Sequence, residues 1–183
     1  MSNSADFIDN DRRIRRKVSV LFVCTGNICR SPTAEGVMRA AVARRGLSGH
    51  IRVESAGTHD YHVGDAPDSR SIRHARRRGY DLAGLRASQV STADFGRFDY
   101  ILAMDQGHLR ILRSMAPKGA RARLGLFLDA SARWKGEDVP DPYYGDAEGF
   151  ELVLDMSEEA ADRWLDRIEA EVEPGRFGLQ PPG

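Results

Sequence analysis

Val18-Ser-Val-Leu-Phe-Val23 runs without a break into Cys24-Thr-Gly-Asn-Ile-Cys-Arg30, and Ser31-Pro32 follows at once. The first six residues are rich in β-branched and apolar side chains, the pattern of a strand buried on both faces of a parallel sheet. From Pro32 to Arg45 the chain reads as a helix, with Ser31 suited to the N-cap, Pro32 to the first helical position and Gly46 to the stop. A strand, a short turn and a helix in this order open an α/β fold. In such folds ligands bind outside the carboxyl ends of the strands, which is where this turn lies.

Further along, Ile51 to Ser55 reads as a second strand and Pro67 to Arg78 as a basic helix stopped at Gly79. Phe98 to Met104 reads as a third strand, Asp105 to Met115 as a short helix and Ala122 to Phe127 as a fourth strand. In the last helix Phe150, Leu154, Ala161, Leu165, Ile168 and Val172 recur at helical spacing, marking a core-facing stripe, and Pro174 ends it. Alternating strands and helices imply parallel pairing through right-handed crossovers. The expected fold is α/β: a single-domain three-layer sandwich, its four-stranded parallel sheet flanked by helices. Residues 1–17 read as a flexible N-terminal extension, 18–173 as the domain and 174–183 as a flexible tail.

Composition narrows the function. The 183 residues are 41% hydrophobic and 30% charged, with mean hydropathy −0.47, ordinary for a globular chain. No apolar run approaches the ~20 residues needed to span a bilayer, and no signal-peptide pattern precedes Val18. Two cysteines are too few for a disulfide framework or a cysteine-built zinc site. The expected setting is therefore reducing and cytoplasmic, without a membrane partner. Lys+Arg and Asp+Glu are 27 each, so the whole-chain charge carries no nucleic-acid signature. Charge is uneven along the chain: between Gly136 and Glu173 fourteen acids meet two bases, a local net of −12. The clusters Arg12, Arg13, Arg15, Arg16, Lys17 and Arg73, His74, Arg76, Arg77, Arg78 read as a solvated tail and a solvated helix face. His59 and His62 lie three apart without acidic or thiol ligands at suitable spacing, and read as exposed polar residues; no metal is expected.

The turn has the make-up of an anion site. Gly26 permits positive φ, successive backbone N–H groups can point inward, and the positive end of the helix dipole adds to the field. Arg30 supplies a planar fork that matches two phosphate oxygens. Thiols beside arginine at helix N-termini are in general more acidic than a free thiol at ~8.5, and a thiolate inside a phosphate cradle is a nucleophile aimed at phosphorus. No Gly-Lys-Ser/Thr follows, so this is no Walker A loop, and the single glycine rules out a dinucleotide fingerprint. Cys24 and Arg30 form a C-x5-R pattern. The pattern gains its force from lying between a buried strand and a Ser-Pro helix start.

Val20 to Glu35 resembles the signature of the low molecular weight protein tyrosine phosphatases. Glu54-Ser-Ala-Gly57, Phe98 to Asp105 and Asp141-Pro-Tyr-Tyr-Gly145 match the family at independent places. The resemblance implies that Cys24 is the nucleophile and forms a phosphocysteine, that Arg30 binds the phosphoryl oxygens, and that Asp141 is general acid and then base. It implies phosphate binding by Thr25, Gly26, Asn27, Ile28, Cys29 and Ser31, a supporting polar network including Ser55, and no cofactor. Tyr61, Tyr143 and Tyr144 resemble the aromatic walls of the substrate pocket; from residue type alone they read as half-buried packing tyrosines. Cys29 is implied as a reversible partner for oxidised Cys24. Implied partners are a phosphotyrosine-bearing protein and its cognate tyrosine kinase. Leu85 stands where many members carry a histidine supporting the loop, and Ser88 replaces a frequent arginine. A three-cysteine arsenate reductase relay is ruled out by the cysteine count, and a non-catalytic phosphoprotein-binding module conflicts with the presence of both Cys24 and Asp141.

Overall fold

A computed structural model describes residues 17–171 of the chain. Four parallel strands, β1 (Val18–Cys24), β2 (Ile51–Gly57), β3 (Tyr100–Ala103) and β4 (Arg123–Leu126), lie in the order β2-β1-β3-β4. The helices are α1 (Arg30–Arg44), α2 (Ser69–Arg77), α3 (Asp94–Arg97), α4 (Gln106–Met115) and α5 (Ala147–Glu171). The anticipated extension and tail, apart from Lys17, lie outside the described residues, as do Val172 and the basic residues before Lys17.

β1 is central, and all seven of its residues are buried. Its alternate side chains serve two cores. Val18, Val20, Phe22 and Cys24 pack with residues of α1 and α5, whereas Leu21 and Val23 pack with Phe95, Phe98, Leu109 and Leu112 of the α3–α4 layer. Burial on both faces is the physical reason the strand reads as one unbroken apolar run. On α5 the predicted residues Phe150, Leu154, Ala161, Leu165 and Ile168 are all buried, and Trp164 joins them, donating from Nε1 to the Phe127 carbonyl at 2.6 Å.

The acidic surface of α5 is met by arginines. Arg45 bonds Asp166 and Glu169, each at 2.8 Å, and Arg78 reaches Glu151, Asp155 and Glu158. His74, expected on a solvated face, is buried, stacks on Phe150 and lies 2.5 Å from Glu151; Arg73, Arg76 and Arg77 are exposed as expected. The basic helix thus docks partly on the acidic one.

At the carboxyl end of the sheet, Cys24 pairs in register with Gly57. A Cβ on Gly57 would lie 2.6 Å from the Thr25 carbonyl and 3.2 Å from the Asn27 amide, both backbone atoms of the loop. Neither can swing aside, so Gly57→Ala is expected to cost about 1–3 kcal/mol by overpacking, read from urea unfolding, with weakened phosphate binding in parallel. Unchanged stability would show that the loop yields freely.

Candidate active site

The chain from Thr25 to Arg30 wraps the N-terminus of α1. Asn27, at φ 55, is the one described non-glycine residue with positive φ. Asparagine tolerates that region better than most side chains. The left-handed position expected at Gly26 is therefore Asn27. At Gly26 a Cβ would sit 2.9 Å from the part-exposed His62 ring, so a larger residue there requires that ring to shift. The strained backbone is held by the Asn27 side chain, which donates to Ser31 Oγ at 2.8 Å and Ser55 Oγ at 2.9 Å and accepts from the Ser88 amide at 2.9 Å.

Ser31 is not the cap. The N-cap position is Cys29, without a side-chain cap bond, and Ser31 lies in the first turn with its hydroxyl 3.0 Å from Cys24 Sγ. A cap would have turned that hydroxyl towards the helix amides; here it is drawn inward to the sulfur and Asn27. Ser55 in turn donates to Glu35 Oε2 at 2.5 Å. Glu35 is buried and pairs with Arg39 at 2.6 Å; burial raises its pKa against the Ser55 hydrogen bond and the Arg39 charge. Leu85 packs on the core, and Glu35 is the partner of the Ser55 hydroxyl.

Arg30 is buried, and its Nη1 donates to Asp105 Oδ2 at 2.9 Å and to the Val139 carbonyl at 3.1 Å. Its Nη2 faces Asp141 Oδ2 at 3.4 Å. One edge of the guanidinium is committed to the scaffold while the other faces the cavity. Burial works against ionisation of Asp105, but the His108 amide and the Arg30 charge prevail and hold its pKa below the usual value. Asp141 is 47% exposed at its side chain, its Oδ1 accepts from the Tyr143 amide at 3.1 Å, and it stands between buried Val139 and buried Pro142.

A cavity of about 290 Å³ opens above the loop, lined by Cys24, Arg30, Asp141, Tyr61, Tyr143 and Tyr144 among others. The three tyrosines are not packed as residue type alone suggested: Tyr61 is 68%, Tyr143 39% and Tyr144 94% exposed. Tyr61 stacks on His59 instead, and Tyr143 meets Tyr144 edge to face, with Arg70 over the Tyr143 ring. His62, read as an exposed polar residue, is half-buried and lines the cavity. Sequence reasoning also passed over Asp105, Glu35 and His108. The first two stand inside the matching segments already quoted, which was the available signal; nothing local pointed to His108.

A parallel α/β sheet with a C-x5-R loop at a central strand's carboxyl end defines a class of phosphate-site domains. Residues 19–174 match the model of the low molecular weight phosphotyrosine protein phosphatases. A low molecular weight protein-tyrosine-phosphatase of Streptomyces coelicolor is 43% identical over 157 residues, 84% of this chain and 95% of the relative. The crystal structure of YfkJ from Bacillus subtilis superposes with a TM-score of 0.78 at 40% identity, covering 86% of this chain and 98% of that one. A protein tyrosine phosphatase structure from Entamoeba histolytica gives 0.81 at 37% identity, covering 84% and 98%. The chain belongs to the low molecular weight phosphotyrosine protein phosphatase family.

Proposed function

We propose that this protein hydrolyses phosphotyrosine on proteins, and small aryl phosphates, through a phosphocysteine. The observation that carries the reading is the convergence of Cys24, Arg30 and Asp141 on one tyrosine-walled cavity. Cys24 sulfur attacks phosphorus; the P–O bond to the phenol breaks as Asp141 delivers a proton to the leaving oxygen. Water then attacks the phosphocysteine, Asp141 accepts its proton, and phosphate leaves with the thiolate restored. Arg30 Nη2 exchanges its contact with Asp141 for phosphoryl oxygens as the anion arrives, freeing the carboxyl to face the leaving group. The tyrosine rim suits an aryl ester, whose ring fills the space that a shorter phosphoserine would leave empty. The reading implies a cognate tyrosine kinase upstream.

The test is hydrolysis of p-nitrophenyl phosphate and a phosphotyrosine peptide in the presence of a metal chelator, with vanadate as inhibitor. Chelator-insensitive turnover of both, blocked by vanadate, is expected. A folded protein that binds the peptide without turning it over would replace the enzyme with a binding module.

Cys29 is buried, and burial, helped by the Asp68 charge, pushes its thiol up to about 12. It therefore rests as a thiol and leaves Cys24 the nucleophile towards phosphorus; when it attacks oxidised Cys24, its proton leaves with the sulfenic oxygen as water. Peroxide converts Cys24 to a sulfenic acid. Attack by Cys29 forms the disulfide and releases water, and added thiol reduces it. Cys29→Ser is expected to lose most of the thiol-recoverable activity after peroxide, as Cys24 over-oxidises. Equal recovery in both proteins would remove this role.

A further inference from the structure

His108 belongs to no element of the mechanism above, yet it is 4% exposed and lies directly behind the loop. Its Nε2 is 2.7 Å from Thr25 Oγ1, and its Nδ1 is 3.0 Å from Asp105 Oδ1. Asp105 is the N-cap of α4: Oδ1 accepts from the His108 amide at 2.8 Å, while Oδ2 holds Arg30. The contacts run from Thr25 through His108 and Asp105 to Arg30, joining the second residue of the loop to its last. Resting on the phosphatase reading, we propose that His108 is a positioning residue for phosphoryl transfer, clamping Thr25 outward and sharing with Arg30 the carboxylate that aligns the guanidinium.

A phosphate cradle works by presenting N–H groups inward, and a threonine hydroxyl within it can fold back and accept from those same amides in competition with the phosphoryl oxygens. Anchoring Oγ1 to a ring nitrogen behind the loop removes that competitor. Nδ1 is buried without an in-line partner and faces a carboxylate oxygen. A lone pair there would meet an anion, so the proton is assigned to Nδ1 on electrostatic grounds. Nε2 is then the acceptor, and Thr25 donates its only hydroxyl proton away from the cavity. Charged groups around the ring are Asp105, Arg30, Asp141 and Asp138. Burial prevails over the Asp105 charge and depresses the ring to about 4, so it stays a neutral acceptor at physiological pH.

Three variants separate clamp from filler. The amide of His108→Gln reaches about as far as Nε2 and keeps the Thr25 contact; that of His108→Asn reaches only to Nδ1; Thr25→Val removes the hydroxyl at constant shape. The readouts are the dissociation constant of inorganic phosphate by calorimetry, kcat and KM for p-nitrophenyl phosphate, and the thermal midpoint. Loss of one buried hydrogen bond, about tenfold in an equilibrium constant, is expected in phosphate affinity for His108→Asn and for Thr25→Val. His108→Gln is expected to stay within about threefold of wild type, and the double variant Thr25→Val/His108→Asn to be no worse than Thr25→Val. Additive losses, or a Thr25→Val protein that binds phosphate normally, would overturn the proposal. The Thr25→Val result decides alone if the His108 variants do not fold. Phosphate affinity is measured without turnover. Wild type that binds phosphate but hydrolyses nothing would refute the phosphatase reading alone, whereas active wild type with indifferent variants would refute the clamp alone.

Discussion

Cys24→Ser is expected to lower kcat/KM for every phosphate ester by about 10⁴-fold or more, the scale seen when a covalent nucleophile is removed. The reason lies in what surrounds the sulfur. Its hydrogen-bond neighbour is the Ser31 hydroxyl at 3.0 Å, which can donate to a thiolate but cannot take a proton from an alcohol at neutral pH. No imidazole bonds residue 24 among the described residues, since His108 is engaged with Thr25. A serine placed there keeps its proton and cannot attack phosphorus. The cradle survives the substitution, because Arg30, Asn27 and the loop amides do not depend on the sulfur, and inorganic phosphate should bind within about threefold of wild type for lack of any removed donor. Acid quench of wild type with p-nitrophenyl phosphate should leave a phosphoryl group on the Cys24 peptide, absent from Cys24→Ser. A serine variant retaining a tenth of wild-type activity would end the phosphocysteine mechanism.

The parts of this site that the sequence exposed share a physical cause. β1 is buried on both faces, which demands an unbroken apolar run, and its loop must put particular donors within a few residues of one another. Both conditions are local and leave local marks. Asp105 and His108 act on residues 75 and 83 positions away. Periodicity reports which way a side chain faces along its own element, not what waits across the sheet. Asp105 showed itself only as part of a matching segment, and His108 read as one polar residue on a short helix. Ser31 illustrates the opposite failure: its type and place before Pro32 satisfied the capping rule, but the inward pull of Cys24 and Asn27 overrode it. The same holds for charge. Arg78, read with its cluster as part of a solvated face, instead meets Glu151, Asp155 and Glu158, and Arg45, which no local pattern singled out, meets Asp166 and Glu169.

The second large effect is expected at Asp141, and it depends on the leaving group. Phenolate from tyrosine, whose pKa is ~10, leaves poorly without a proton, and general-acid assistance is typically worth ~10²–10⁴-fold. Nitrophenolate is stable enough to leave unaided. Asp141→Ala should therefore slow a phosphotyrosine peptide or phenyl phosphate by about 10²–10³-fold and p-nitrophenyl phosphate by about tenfold or less, steepening the dependence of rate on leaving-group pKa. The scaffold around the residue makes this a clean deletion. Val139 donates its amide to the Met104 carbonyl at 2.8 Å and gives its own carbonyl to Arg30, and Pro142 is buried, so both ends of the segment stay anchored without the carboxyl. Only the contacts to Arg30 Nη2 and the Tyr143 amide are lost. Removing a negative neighbour from Arg30 leaves its positive charge less compensated, so phosphate should bind the variant as well as wild type or better. Loss of affinity together with equal slowing on all esters would mean that Asp141 orders the pocket rather than supplies the proton. Equal slowing with affinity intact would mean that the proton comes from elsewhere, with solvent reaching the half-exposed carboxyl's place directly.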